Sequence, residues 1–455
     1  MNSTNKELQA FANYTIFSVF IMLFLTIFYA FSGMAAGDEI PVLAVIRTFF
    51  VISFLFLFLM NISIFQVADT NESLTLKLIF IFFLYQIGEI LFTSSPFSAI
   101  TKYFFFFLAI LIITFTDYSE ITYKTKITNK LIIFLFIIIF GGYLLYMVTH
   151  PFSIIFRETR INFLFWDNNE NAGFFATTFP FILFALRKRP VLRGIFVIFF
   201  FFVFIFYNGS RAAILFSLLI LNIYYYLTST KRNIFPFILG LIIIVSLVGM
   251  INLIGEDSVF SGKISDVLAG STQEGNLSGR LGGIWYPVVK YVYNKNFLMG
   301  CGGNSWAEVS RKAGTFWVSS DGKNTAYIFR DAHNFFLVSF VEGGIINLLM
   351  ILSFFTIGVR ASIYAIRHSI SIYYKKYSVT VFCSWIGLIT WCMMYNAWYS
   401  GGWYFFTILF TLSLMLKNNS RVEQNKLWNQ KKYHEIITVK EINNTSDVLV
   451  KQIIE

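Results

Sequence analysis

The sequence predicts an all-α polytopic membrane protein with about 12 transmembrane helices and one large extracytoplasmic loop. Three observations predict this class. Hydrophobic residues make up 57% of the 455 residues and charged residues only 13%, whereas charged residues approach a quarter of a soluble protein. Long apolar stretches recur along the chain, and the short connections between them alternate in their content of Lys and Arg.

Each apolar stretch is about as long as a helix needs to cross the hydrocarbon of a bilayer, which is roughly 20 residues. The first stretch is interpreted as an uncleaved helix, because it is long and further spans follow it. The predicted spans lie at 12–33, 41–60, 76–92, 102–116, 131–149, 170–186, 191–208, 211–228, 234–254, 334–358, 378–397 and 400–417.

The basic residues predict the orientation of these spans. An even number of spans puts both termini on one side, where the connections are "YKTKITNK", "LRKRPVLR", "STKR" and "RASIYAIRHSISIYYKK". Positively charged loops stay in the cytoplasm. The formal charge of +11 is therefore mostly a topology signal. It is scattered over short loops without an aromatic-interleaved basic patch, so nucleic-acid binding is not predicted.

The predicted organisation has three parts. Residues 1–417 form the transmembrane helical domain, residues 255–333 form the large extracytoplasmic loop within it, and residues 418–455 form a polar cytoplasmic tail. The loop, at roughly 80 residues, is far longer than helix pairs need. It either carries a functional site or is a disordered spacer.

The sequence predicts no metal or cofactor. Its three cysteines, Cys301, Cys383 and Cys392, lack a C-x-x-C spacing and nearby histidines, so neither a disulfide framework nor a zinc site is expected. The loop has no clear D-x-D motif, and no Ser-His-Asp spacing, P-loop or dinucleotide-binding fingerprint is present in the chain.

Three predicted helices begin after polar stretches on the outer side: "WDNNENAG", "YNGSRAA" and "RDAHN". Free backbone N–H groups and the positive end of the helix dipole make such ends natural seats for an anion. Asn, Asp and Ser are also ordinary N-cap residues. Arg211, at the first turn of the second of these helices, either snorkels to lipid headgroups or binds phosphate oxygens.

Two further residues are candidates for chemistry on the outer side. His333, one of four histidines, is either a polar cap or a general base, because imidazole takes up a proton near neutral pH. Asn334 or Asp331 is a candidate to orient it. Arg280, in "LSGRLGGIWYPVV", is either a solvated loop charge or an anion ligand, and the aromatic stretch after it is suited to the membrane surface.

Charged residues inside the predicted spans have a structural interpretation. Arg47 and Glu89 lie within about two turns of the outer ends of their helices, which favours a pair between them. Glu342 lies nine residues after His333. At about 100° per residue, the two side chains point to opposite sides of a regular helix. We therefore expect Glu342 to be a packing carboxylate beside Gly343 rather than the partner of the histidine.

Taken together, three stretches in order resemble the O-antigen ligase and polymerase family of bacterial envelope glycosyltransferases. They are "YNGSRAAILFSLLILNIYYYL", "SGRLGGIWYPVVKYVYNKNFLMGCGGNSW" and "AHNFFLVSFVEGGIINLL", with "WDNNENAGFFATTFP" upstream. The resemblance covers roughly residues 165–360. It implies a membrane glycosyltransferase (GT-C-like) architecture and an enzyme that transfers glycan from undecaprenyl pyrophosphate, without a metal or cofactor.

The resemblance also implies roles for single residues. Arg211 and Arg280 bind the donor pyrophosphate, and His333 activates the acceptor hydroxyl; these are the predicted catalytic residues. The predicted substrate-binding residues are Asn334, Ser210, Trp285 and Asn169. Trp285 is expected either to stack on a sugar ring or to anchor the loop at the interface.

The function favoured by these patterns is a polymerase of O-antigen or capsule repeat units at the outer face of the bacterial cytoplasmic (inner) membrane. Its partners are the undecaprenyl pyrophosphate-linked oligosaccharide donor, a glycan acceptor and membrane lipids. A ligase that transfers the glycan to lipid A core is the alternative. It is less favoured because Asn347 stands where the family's ligases often have Gly, Thr or Tyr. A lipid-linked glycan transporter or flippase is the third possibility, although no internal repeat supports it.

Overall fold

The computed structural model describes residues 73–91, 93, 121–149, 168–203, 211–229, 281–303, 305–318, 324–326, 332, 334–394 and 402–454. Over these ranges the chain is mainly helical. The helices are α1 (Ser73–Leu91), α2 (Ile121–Thr149), α3 (Asn168–Ala185), α4 (Pro190–Val203), α5 (Arg211–Thr228), α6 (Tyr286–Asn296), α7 (Trp306–Lys312), α8 (Phe335–His368), α9 (Ile372–Met394) and α10 (Gly402–Ile454). A 3-10 turn covers Leu186–Lys188, and a π-helical turn covers Leu281–Trp285.

The predicted helical class is confirmed for this part of the chain, with one departure. Strands β1 (Phe316–Val318) and β2 (Asn324–Ala326) form a small antiparallel hairpin in the loop, with Trp317 opposite Thr325. The spans predicted at 12–33, 41–60, 102–116 and 234–254 lie outside the described residues. Within those residues, two helices are long and apolar enough to cross a membrane, at Thr125–Gly142 in α2 and along Phe335–His368.

Several helices extend beyond the predicted spans. The stretch "YKTKITNK", predicted as a connection, lies inside α2, and α8 continues for ten residues past the predicted end at 358. Helix α10 runs without interruption through residue 417 to Ile454, a length of about 80 Å at 1.5 Å per residue. Hydropathy marks where a chain crosses hydrocarbon, but Lys, Arg and Gln are good helix formers and carry the helix onward.

Helix α9 lies at the centre of the bundle and packs against α3, α5, α8 and α10. The indole Nε1 of the fully buried Trp385 donates to Ser413 Oγ at 2.9 Å, and Ser413 Oγ also bonds Ser362 Oγ at 2.8 Å. A Cβ added at Gly358 would collide with the Trp385 ring. Small residues on α8 and α10 therefore let one large side chain of α9 join three helices.

The contacts along α9 fix the directions of its neighbours. Gly173 of α3 lies against Trp391, and Phe184 stacks edge-on with Tyr377 at 5.1 Å between ring centroids. The earlier residue of α3 contacts the later residue of α9, and the later residue of α3 contacts the earlier one, so α3 is antiparallel to α9. Arg193, in the first turn of α4 directly after the end of α3, lies 4.8 Å from the centroid of the Tyr225 ring near the end of α5. The ends of α3 and α5 are therefore neighbours, and because the two helices pack together, α5 has the same direction as α3.

Helix α8 is broken near its N-terminal end by two glycines. Gly343 (φ −120°, ψ 17°) and Gly344 (φ 64°, ψ −164°) leave the helical region, and a positive φ of this kind favours glycine over other residues. A break leaves backbone groups on both sides without their helical partners, and buried groups of this kind need other partners.

The loop supplies those partners through residues 297–303, which we name the docking segment. Its last residue also bonds the end of α1, since Gly303 N donates to Glu89 O at 3.4 Å. The bonds at the break are Cys301 N to Val341 O (2.8 Å), Gly302 N to Glu342 O (2.8 Å), Tyr85 Oη to Gly343 O (2.6 Å), Ile345 N to Phe297 O (3.0 Å) and Ile346 N to Leu298 O (3.5 Å). Four of these five bonds join backbone to backbone, so the backbone of the loop supplies the hydrogen-bond partners that α8 loses at its break.

A second hydrophobic core holds the rest of this loop on the outer half of α8. Its buried members are Ile284, Val288, Val292, Trp306, Val309, Ala332, Val338, Phe340 and Val341. They come from the π-helical turn, α6, α7 and the start of α8. Among the described residues, the loop is therefore a folded unit rather than a disordered spacer.

Candidate functional site

The N-termini of α3, α5 and α8 lie at the same end of the bundle. Helices α3 and α5 are antiparallel to α9, and α8 joins α9 through a turn of three residues, 369–371, so it is antiparallel to α9 as well. Arg211 is the first residue of α5 and Asn169 the second of α3; their side chains lie outside what the structure describes. Three positive helix ends converge where the sequence predicts an anion.

Trp285 connects two of the predicted site segments. Its indole Nε1 donates to Ala332 O at 2.9 Å across 47 residues of chain. The π-helical turn that Trp285 ends begins immediately after Arg280, and Ala332 immediately precedes His333. This hydrogen bond therefore holds the segment after the predicted arginine against the segment before the predicted base.

Asn334 is the N-cap of α8. Its Oδ1 accepts a hydrogen bond from Leu337 N at 3.1 Å, and its backbone is extended. This is the capping role that Asn commonly has at a helix start. The cap fixes where the helix begins, and thereby fixes the backbone directly after position 333.

Other predicted site residues fall outside the described residues. These are His333, Arg280 and Ser210, together with Arg47, the predicted partner of Glu89. The sequence prediction for each of them stays a prediction.

A buried polar network lies beside the break in α8. Gln86 Nε2 donates to Asn347 Oδ1 at 2.8 Å, and Asn347 Nδ2 donates to Ser339 O at 3.1 Å. Asn347, which the sequence singled out as a departure from the family's ligases, therefore links Gln86 of α1 to the part of α8 before the break.

Two buried carboxylates lie next to this network. Glu89 is 4% exposed and Glu342 is 3% exposed. Glu89 Oε1 accepts from Gln86 Nε2 at 3.4 Å, and a Cβ added at Gly343 would collide with the Glu89 carboxylate. Glu342 lies directly before the break, as expected for a carboxylate packed beside Gly343. Together these groups make a polar core just inside the outer end of the bundle.

Asn171 is a candidate that the sequence interpretation missed. It lies in the first turn of α3 and is fully buried, and neither Oδ1 nor Nδ2 of its amide has a hydrogen-bond partner in the structure. Unpartnered buried amides are rare because their desolvation is uncompensated. Every residue from 171 to 180 is buried, so helical periodicity does not separate Asn171 from Asn169, and only the structure singles it out.

Nothing in the described part of the chain is arranged to hold a metal ion, since no group of three or more His, Cys, Asp or Glu side chains comes together there. The three cysteines are free thiols. Burial of the docking segment raises the pKa of the Cys301 thiol, so this side chain is a weaker nucleophile than an exposed cysteine.

The described residues form a helical bundle with a folded loop, and two segments of that loop meet at the start of α8 through the bond from Trp285 to Ala332. The family model described as O-antigen ligase matches residues 196–352, which is about a third of the chain and runs from α4 through the loop into α8. Over these residues the chain is similar to that family, and the predicted resemblance is confirmed there. No match was found among curated proteins.

The similarity points to a general function. Members are integral membrane enzymes of glycosyltransferase type, and they use a lipid-linked glycan donor and an acceptor. The two apolar helices in the described residues agree with a membrane location.

Proposed function

We propose that this protein is a polymerase that joins lipid-linked repeat units of an O-antigen or capsule at the outer face of the bacterial inner membrane. The observation that carries the proposal is the hydrogen bond from Trp285 to Ala332. It supports a single site in which Arg280 and His333 act together. Arg280 directly precedes the turn that ends at Trp285, and His333 directly follows Ala332.

In the proposed reaction the His333 imidazole takes the proton of an acceptor sugar hydroxyl. The hydroxyl oxygen attacks the anomeric carbon of the donor glycan, the bond from that carbon to the phosphate oxygen breaks, and undecaprenyl pyrophosphate leaves. A single displacement inverts the anomeric configuration. Arg211, Arg280 and the helix N-termini stabilise the charge that develops on the pyrophosphate, which lowers the barrier more than it strengthens donor binding.

Supporting residues have positioning roles in this proposal. Asn334 caps α8 and so orients the backbone that follows His333. Trp285 uses its indole N–H for the bond to Ala332, so it holds the loop in place. Ser210 and Asn169 stay candidate donor contacts at the starts of α5 and α3.

Asn171 is the additional substrate contact that we propose. Its buried amide offers both a donor and an acceptor without protein partners, which matches a sugar hydroxyl, a group that also donates and accepts. Its position in the first turn of α3 is at the same end of the bundle as Arg211, the predicted pyrophosphate ligand.

The membrane topology is part of the proposal. About 12 spans, a GT-C-like architecture, a cytoplasmic tail and an extracytoplasmic loop follow from hydropathy and from the basic connections. The directions of three successive helices support alternating crossings of the membrane. Ser362 pairs with Ser413 and Ser369 with Ser420, so α8 and α10 are parallel. Helix α9, which connects them in the sequence, runs in the opposite direction.

A ligase is the second candidate, because the matching family model is described as O-antigen ligase. Reconstitution of the purified protein with undecaprenyl pyrophosphate oligosaccharide separates the two. A ladder of lengthened products is expected for a polymerase, whereas a product formed only with lipid A core identifies a ligase. Failure to form either product contradicts both and favours transport without chemistry.

The same assay tests the proposed site. His333→Ala should lower turnover by about 10²–10⁴-fold, the usual contribution of a general base, and Arg280→Ala by about 10²–10³-fold. Arg311→Ala is the matched control, since Arg311 is an exposed arginine of the same loop on α7. Normal turnover in the His333 and Arg280 variants would show that the chemistry occurs elsewhere.

Asn171→Leu tests the additional contact separately. Replacement of an unpartnered buried amide by an apolar group of similar size is expected to leave stability unchanged or higher. Loss of a hydrogen bond to substrate should lower kcat/KM by about tenfold or more. A variant that is as stable and as active as the wild type would show that Asn171 does not contact substrate.

A further inference from the structure

Helix α6 exposes apolar side chains along one flank. Val288 and Val292 are fully buried against the second hydrophobic core. Beside this buried stripe, Tyr286 is 64% exposed and Tyr293 is 65% exposed. Lys290 is exposed on the side that faces away from the core. A helix with a polar side and an exposed aromatic flank is suited to lie at a membrane interface.

The outer apolar face continues past the end of α6 into the docking segment. Phe297, Leu298 and Met299 follow directly, and their side chains are 38%, 58% and 43% exposed. Three consecutive exposed large apolar side chains are unusual in a water-facing turn. Phe297 packs edge-on against Tyr293 at 5.4 Å between ring centroids, so the face of α6 and the docking segment form one surface.

The docking segment lies at the depth of a spanning helix. The carbonyls of Phe297 and Leu298 accept from Ile345 N and Ile346 N in the interior of α8. Ile346 is the twelfth residue of that helix, which places it roughly 16 Å along the axis from Phe335. Irregular backbone is tolerated at such depth only when its polar groups are satisfied by protein, and the break in α8 satisfies these.

The docking segment lies next to an apolar surface formed by α1 and α8. An open groove of about 220 Å³ lies between these helices, lined by Leu78, Ile81, Ile346, Leu349, Met350, Ser353 and Phe354. Ile81 is 49% exposed and Leu349 is 55% exposed. Tyr85 joins this groove to the docking segment, because its hydroxyl lies 3.8 Å from Met299 Sδ. The apolar surface is therefore continuous from α1 to α6.

A lysine borders the exposed flank of α6, as lysines do at membrane interfaces. Lys290 Nζ lies 5.9 Å from the centroid of the Tyr286 ring. Tyrosine and lysine side chains are enriched where an apolar body meets lipid and a polar tip reaches water or headgroups.

We propose that α6 and residues 297–299 form a re-entrant element immersed in the bilayer leaflet on the side of the α8 N-terminus, with Tyr286, Tyr293 and Leu298 in contact with lipid. The occupant of this face is the bilayer rather than a second copy of the chain, because the face continues into the apolar groove beside α8, a helix long and apolar enough to cross a membrane. The proposal needs only that α8 spans a membrane, and it does not depend on the glycan chemistry.

The test is nitroxide labelling of single cysteines in proteoliposomes. Cys301→Ala removes the half-buried native thiol and keeps its backbone bond to Val341, while Cys383 and Cys392 are almost fully buried. Tyr293→Cys and Leu298→Cys are the test positions. Ala307→Cys is the matched control, because Ala307 is exposed on the neighbouring α7 beside the Glu308–Lys312 ion pair.

Collision rates with oxygen, which concentrates in lipid, are compared with those of a water-soluble nickel complex. Labels at 293 and 298 are expected to favour oxygen several-fold over nickel, and the label at 307 to show the reverse. Nickel access at 293 and 298 equal to that at 307 would place the face in water. Low access to both reagents would show that protein covers it, as in a dimer. Either result overturns the proposal, whether or not the protein makes glycan.

Discussion

Two parts of α8 are held by different physical means. Around Gly343 and Gly344, backbone hydrogen bonds on both sides of the break connect α8 to the loop, and we name this contact the outer joint. Further along the helix, at what we name the inner joint, side chains hold α8: Ser362 bonds Ser413 of α10, and Ser413 bonds Trp385 of α9. The outer joint therefore depends on backbone conformation, and the inner joint depends on complementary side chains.

This difference has a functional consequence. A backbone joint needs glycine where chains approach closely, but it places few demands on the residues around it. The loop can therefore vary in side chains while its position against the N-terminus of α8 is kept. The inner joint fixes the bundle on which that N-terminus stands. Four substitutions test this division, in order of decreasing expected effect.

Gly344→Ala should have the largest effect, because its Cβ would collide with Leu298 O and Gly300 N at a φ of 64°. Overpacking against backbone and the left-handed conformation together should destabilise the protein by more than about 2 kcal/mol. We expect a lower Tm in detergent and faster proteolysis within the loop. Gly314→Ala is the control: its φ is 66°, and nothing lies within 4 Å of an added Cβ. Equal effects of both substitutions would show that only the φ angle matters.

Ser413→Ala tests the inner joint. It removes the acceptor of the buried Trp385 N–H, and an unsatisfied buried donor costs about 1–3 kcal/mol. Tm should fall while proteolysis of the loop stays unchanged. Ser420→Ala, which removes only the bond to the part-buried Ser369, should lower Tm less. Increased cleavage of the loop in the Ser413 variant would mean that the two joints are not independent.

Tyr85→Phe removes one bond from the outer joint and keeps its apolar contact. The carbonyl of Gly343 loses the hydroxyl that donates to it at 2.6 Å, which should cost about 1 kcal/mol. The expected result is a small fall in Tm with a measurable rise in cleavage of the loop. A fall in Tm without increased cleavage of the loop would show that Tyr85 stabilises α1 rather than the contact between the loop and α8.

Trp285→Phe should have the smallest effect on stability, about 0.5–1.5 kcal/mol, because one hydrogen bond is lost and the ring packing is largely kept. If the bond to Ala332 positions the site, kcat should fall more than KM rises, and Tm should change little. A change confined to KM would instead favour the sugar-stacking role that the sequence left open for Trp285.

The family and the helical class were readable from the sequence because they rest on composition and on motif order. The candidate site was readable in part. Asn334 was predicted at a helix start and is an N-cap there. Asn171 was overlooked in favour of Asn169, because a run of asparagines looks alike until the inward face of the helix is known. The pairing of Gln86 with Asn347, across 261 residues, leaves no local signal.

Helix ends show the same limit. Hydropathy located the apolar parts of α2, α8 and α10, yet it ended or began these helices short of their true bounds, since it measures contact with lipid and not backbone hydrogen bonding. The glycine pair at 343 and 344 was visible as sequence, but its partner segment, 297–303, lies about 40 residues earlier and has no periodic pattern that would identify it.

The sequence by itself determined the class of protein, its family and the outer placement expected for the polar helix starts, because these depend on transfer of side chains to lipid and on the helix dipole, which are local properties. Only the tertiary structure decided that the loop forms backbone hydrogen bonds at the break in α8 and that Trp285 donates to Ala332 O. Those contacts join backbone groups distant in the chain, and their energy depends on geometry that no single segment encodes.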